Sequence, residues 1–225
     1  VYLINNVTYD DETLPTRAFT LSSLDDDAPK TFSVTGDMTL SGNVTFDNVN
    51  ISNTSGTIVV PSAKQLTVNS DATGNLGEIS GDGTVTINGA DISSGTDSRS
   101  DLLVLKNGAK LTCTEFSADR LKMSDSSSII CSGNLMLGGI TGITAGDSIN
   151  LSGSSSVLVL DGNVTGNAVN VNFTGKSLGS NAINVKDSVT TFDTTVFNVT
   201  YGTSKTEAML SLTGNSGGYD RYSLS

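Results

Sequence analysis

Leu105-Lys-Asn-Gly-Ala-Lys-Leu-Thr-Cys113 and, in the next stretch of chain, Met123-Ser-Asp-Ser-Ser-Ser-Ile-Ile-Cys131 share one plan. Each is an apolar strand end, a run of turn-forming residues, and a new strand whose apolar side chains alternate with a period of two. The same plan is written at Val60-Pro-Ser-Ala-Lys-Gln-Leu-Thr-Val68 and Leu151-Ser-Gly-Ser-Ser-Ser-Val-Leu-Val159, so the copies begin at Val60, Leu105, Met123 and Leu151, unevenly spaced. A turn that recurs between short strands in this way is the corner of a coil, with loops bulging from some of the coils. Aligning the copies predicts three inward columns: Val60, Leu105, Met123 and Leu151; Leu66, Leu111, Ile129 and Val157; Val68, Cys113, Cys131 and Val159. One coil alone buries too little apolar surface to be stable, whereas stacked coils join these columns into one core.

The expectation is an all-β chain, a single right-handed parallel β-helix with little or no α-helix. At about 20 residues per coil it makes roughly ten coils and a rod on the order of 50 Å tall. Strands such as Thr84-Val-Thr-Ile87, Leu102-Leu-Val-Leu105 and Val169-Asn-Val-Asn-Phe173 are short and separated by Gly, Ser, Asn and Asp. That brevity argues against an antiparallel sandwich, whose hairpins carry two-residue Asn-Gly turns between longer alternating runs. Asn107-Gly108 is the nearest candidate, and the repeat around it makes it a coil corner. Residues 1–30, with Asp10-Asp11-Glu12, Asp25-Asp26-Asp27, Pro15 and Pro29, read as a cap or irregular entry segment. Residues 31–225 read as the helix, frayed after about residue 203.

Composition narrows the partners. The chain has 12 Lys and Arg against 23 Asp and Glu, a net charge of −11, which disfavours nucleic acid and anionic membranes because both call for clustered basic residues. Aromatics make up 5% of the residues, so aliphatics are expected to fill the interior. No stretch reaches the roughly 18 apolar residues of a membrane span. The style of the chain is that of a segment of a longer, exported polypeptide, secreted or held at the cell surface.

The corner Asn-Gly-Ala-Lys-Leu-Thr-Cys at 107–113, together with Ser41-Gly-Asn-Val-Thr-Phe-Asp-Asn-Val-Asn-Ile51 and Asp161-Gly-Asn-Val-Thr165, resembles right-handed parallel β-helix proteins of pectin-lyase-like type. It is similar in particular to the passenger regions of bacterial autotransporters and adhesins. The likeness covers about residues 31–200. It implies a surface protein whose partner is a host surface or an extracellular polysaccharide.

With no His in the chain, Ser-His-Asp and Cys-His catalysis and His-ligated metals are ruled out. Asp97, Arg99 and Asp101 form the one tight mixed-charge cluster of acid and Arg on alternating positions, and are the candidate binding patch. The bland alternative is a solvated loop before the strand at Leu102. No cofactor is expected; calcium is the metal an acidic extracellular protein would meet, through the Asp runs or Gly81-Asp-Gly-Thr-Val-Thr-Ile87. Cys113 and Cys131 occupy equivalent places in neighbouring copies, so they stack at about 4.8 Å, inside the Cα range of a disulfide. Buried thiols are favoured over a bridge. Two functions remain: a non-enzymatic β-helical stalk or adhesin segment, and a carbohydrate-active module, binding or lyase-like.

Overall fold

The computed structural model describes residues 1–95, 98–139, 147–153, 157–160, 169–173, 183–185, 197–201 and 210–212. Among these residues there is no helix. Every strand-to-strand ladder is parallel, and the chain winds into a β-solenoid of about eight turns in its interpretable part. Two long sheets form the walls. Eleven strands make the first, running from Tyr2–Leu3 (β1) through Gln65–Asn69 (β9), Thr84–Asn88 (β12), Ser98–Lys106 (β14), Phe116–Met123 (β16), Leu135–Leu137 (β18) and Leu158–Leu160 (β20) to Leu210–Leu212 (β24). Ten strands make the second, among them Val7–Tyr9 (β2), Asn50–Asn53 (β7), Thr73–Asn75 (β10), Asp91–Ser93 (β13), Lys110–Cys113 (β15), Ser128–Cys131 (β17) and Ser148–Leu151 (β19). Met38–Thr39 (β5), Thr57–Val59 (β8) and Glu78–Ser80 (β11) form a short third face.

Register sets the length of a turn. Leu66 pairs with Val85, Val85 with Leu103 and Leu103 with Leu121, so the middle turns take 18 or 19 residues, the separations that also part Asn107 from Asp125 and Asn69 from Asn88. Alternation then does the rest: every second side chain is buried along β9, and along β14 on either side of a one-residue phase shift at Asp101 and Leu102, and Leu66, Val68, Val85, Ile87, Leu103, Leu105 and Leu121 are almost wholly excluded from water. Beyond the third face, β14 is nine residues long and spans what had been two walls, with Ser98 Oγ accepting the Ile79 N–H of β11 at 3.2 Å. The interior is mostly aliphatic, as expected, but not entirely. Tyr9, Phe32 and Phe46 pack ring against ring at centroid distances of 6.4 and 5.7 Å near the N-terminal end, and Phe116 is buried further along.

Four corners from the first sheet to the second use left-handed backbone, at Asn48 (φ +46°), Gly89 (+77°), Asn107 (+58°) and Asp125 (+62°), while the corner at 70–72 does not. Asn, Asp and Gly tolerate that region best. It explains why the run of turn formers opens Asn-Gly at 107 and 108. The Asn side chains then stack: Asn107 Nδ2 donates to Asn88 Oδ1 (2.6 Å), Asn88 Nδ2 to Asn69 Oδ1 (3.0 Å), and Asn69 Nδ2 to Asp47 Oδ1 (3.2 Å).

The predicted columns need correction. The second and third copies are equivalent, with Leu105 on Met123, Leu111 on Ile129 and Cys113 on Cys131. The first copy instead turns the corner from β8 into β9, so Leu66 and Val68 belong to the first sheet, not beside Leu111 and Cys113. The fourth turns from β19 into β20, which stacks Leu151 on Cys131. Val157 and Val159 are only half-buried, and Leu158 and Leu160 take the inward places over Leu135 and Leu137. Val157-Leu-Val-Leu160 is apolar at every position, so its alternation carries no phase, and the larger Leu side chains fill the core.

Leu103→Ala is expected to cost about 2–5 kcal/mol in urea unfolding, the range for emptying a well-packed Leu site. The adjacent, half-buried Leu102→Ala should cost less than half as much. Equal losses would contradict the facing of β14. Tyr9, whose hydroxyl donates to Glu12 O at 2.5 Å, has its pKa raised by burial first and then by the charges of Asp11 and Glu12. Because the folded state holds this proton longer than the unfolded chain, stability present below about pH 10 is lost as pH rises through the raised value. Tyr9→Phe should abolish that component of the alkaline unfolding curve.

Candidate functional site

Arg99 and Asp101 lie on β14 with one residue between them, so both project outward from the same strand. Asp97, the third member of the predicted patch, is outside the described residues. The two described members do not pair with each other. Arg99 Nη2 lies 3.4 Å from Asp82 Oδ1 on the preceding turn and 3.9 Å from Asp119 Oδ2 on the following one. Asp101 Oδ2 accepts from Arg120 Nη2 at 2.5 Å. The patch is therefore a short run of opposite charges laid across three turns. Its side chains are half or more exposed apart from Asp101, so each pair is worth a fraction of a kcal/mol. Lys110 and Asp91 repeat the arrangement on the second sheet at 2.9 Å.

Asp119 and Arg120 were not singled out in the sequence, and Asp82 entered only within the Gly81–Ile87 stretch considered for calcium. A signal for this pairing was present: Asp91 and Lys110, and likewise Asp101 and Arg120, are separated by 19 residues, one turn of the coil. The acidic runs considered for calcium make local hydrogen bonds. Asp25 Oδ1 accepts from Asp27 N (3.1 Å), Asp26 Oδ1 from Asn48 Nδ2 (2.9 Å), and Glu12 Oε2 from Asp10 N (2.6 Å). Among the described residues no group of three or more His, Cys, Asp or Glu is placed to hold a metal ion.

A second feature was not legible beforehand. Where the chain leaves the second sheet, two adjoining depressions of about 260 and 410 Å³ meet at Asn75. Hydroxyls and amides line them, including Asn53, Ser94, Thr112 and Thr114, with Glu78 at one end and Cys113 in the floor. Ser94 is more than nine-tenths buried, and its Oγ has no protein partner. Continuing the pairing of Ser93 with Thr112 by one residue sets Ser94 against Cys113, which in turn lies on Cys131.

Both cysteines are free thiols and both are buried. Cys131 Sγ approaches Thr114 O at 3.0 Å and Asn134 O at 3.5 Å. The hydrogen bond between the two sulfurs, reinforced by burial, pushes the Cys113 thiol far above the ordinary range. The same bond, with the Gly133 N–H adding to it, draws Cys131 down against the opposing effect of burial.

The geometry defines a class: a parallel β-solenoid with cross-turn polar and ionic ladders outside and a hydroxyl-lined groove at one corner. Comparison with protein-family models, with characterised proteins and with solved structures returned no match.

Arg120→Ala should lower stability by less than about 1 kcal/mol, and the loss should shrink as salt is raised, since the pair it breaks is exposed. A loss several times larger, or one indifferent to salt, would mark the patch as more than a surface ladder.

Proposed function

We propose that this chain is a non-enzymatic β-solenoid segment, a stalk or adhesin, of a secreted or surface-anchored bacterial protein. The observation that carries this reading is how the charged groups are used. Arg99, Lys110 and Arg120 each face carboxylates on a neighbouring turn, so the basic groups that a lyase site on this fold would direct at an anionic sugar are spent on joining turns. Function is then geometric. Aliphatic ladders hold the turns rigid, and outward rows of Thr, Ser and Asn meet a host surface or an extracellular polysaccharide with many weak hydrogen bonds.

One observation favours a second reading, a carbohydrate-active module of pectin-lyase-like type. The groove around Asn75 offers hydroxyl and amide partners and one buried hydroxyl, that of Ser94, left without any. The two readings diverge in turnover. The purified chain, offered polyuronates and neutral polysaccharides, is expected to release neither unsaturated uronides nor reducing ends. Release that disappears on Arg99→Ala would overturn the stalk reading and support the second.

A further inference from the structure

We propose that Cys113 and Cys131 are a modification site: a small-molecule disulfide entering the groove oxidises them to a bridge that joins two adjacent turns. The site is built by the ladder itself. Cys113 and Cys131 are paired in register on β15 and β17, which sets their Cα atoms about 4.8 Å apart, within the roughly 4.4–6.8 Å that a disulfide spans. Both side chains point inward from paired positions on adjacent turns, so the two thiols are neighbours along the stack.

The two thiols are not equivalent. Cys113 is among the residues lining the 260 Å³ depression, next to Ser94, and keeps a slight exposure of 4%. Cys131 lies one turn further along, fully buried, with its sulfur turned to Thr114 O. Access, not acidity, orders the chemistry, and the raised Cys113 thiol makes its exchange the slow one. In the first exchange the Cys113 sulfur attacks a small aliphatic disulfide: an S–S bond forms at Cys113, the reagent's own S–S bond breaks, and one small thiol leaves with the proton that Cys113 gives up. In the second, the Cys131 sulfur attacks Cys113, the mixed disulfide breaks, and the second small thiol leaves with the Cys131 proton. Two protein thiols are oxidised and one reagent disulfide is reduced to two thiols. The product carries no charge, which the apolar surroundings of Ile129, Leu151 and Leu111 favour.

The test uses the whole chain, folded, with oxidised glutathione as the probe, followed by acid quench, unfolding, alkylation and peptide mapping. The expected product has lost two hydrogens, resists alkylation at both cysteines and yields a linked peptide pair containing Cys113 and Cys131. Cys131→Ser should stop at a glutathione adduct on Cys113, and Cys113→Ser should acquire no adduct. If a variant loses its strand circular dichroism, the unaltered chain still decides the matter. In the folded chain the second exchange should outrun the first, so the glutathione adduct on Cys113 should not accumulate, because the ladder holds the two cysteines together. Two alkylatable cysteines after exhaustive exposure, or a stable glutathione adduct in place of the bridge, would each overturn the proposal.

Discussion

In-register stacking is the constraint from which the rest of this molecule follows. Each residue of a turn sits about one strand spacing above its counterpart in the turn before, so its chemistry must tolerate a near neighbour of fixed position. Aliphatics satisfy this without direction, and the inward places of Val85, Leu103 and Leu121 simply accumulate contact. Polar groups satisfy it only when donors meet acceptors. The Asn amide does so with itself, as Asn107, Asn88 and Asn69 show, and the run closes on the Asp47 carboxylate, which needs only to accept.

Charge is the harder case. Two like charges about 4.8 Å apart repel by roughly 1 kcal/mol even in water, and a chain of net charge −11 has ample opportunity for such pairs. The middle turns avoid them by setting a basic residue against an acid one turn away, at Asp82 and Arg99, Asp91 and Lys110, and Asp101 and Arg120. Arg99 and Asp101 alternate along β14 for this reason. What reads along the chain as a mixed-charge patch is, across the chain, two separate links between turns.

This distinction explains how far the sequence could be read. Leu111 over Ile129 and Cys113 over Cys131 were legible because two consecutive turns repeat the same corner with nothing inserted between them. The sheet to which Leu66 or Val157 belongs was not, because every corner of a coil obeys the same chemistry: an apolar end, a tight turn and a new strand. The fully apolar run at 157–160 hid its phase for the same lack of contrast. The Arg99 and Asp101 partners were hidden by reading neighbours in sequence in place of neighbours one turn away. The groove had no signature at all, since its lining is drawn from residues on several turns that lie far apart in the sequence.

The turn length has a mechanical meaning. In this wall the backbone hydrogen bonds run from turn to turn, along the direction in which the strands stack, so a pull along that direction loads the ladder of one turn before the next. Each middle turn that peels away frees roughly 60 Å of extended chain in exchange for one strand spacing of height. Tension would therefore be released in steps of nearly constant length, and the wall beyond the break would keep its register.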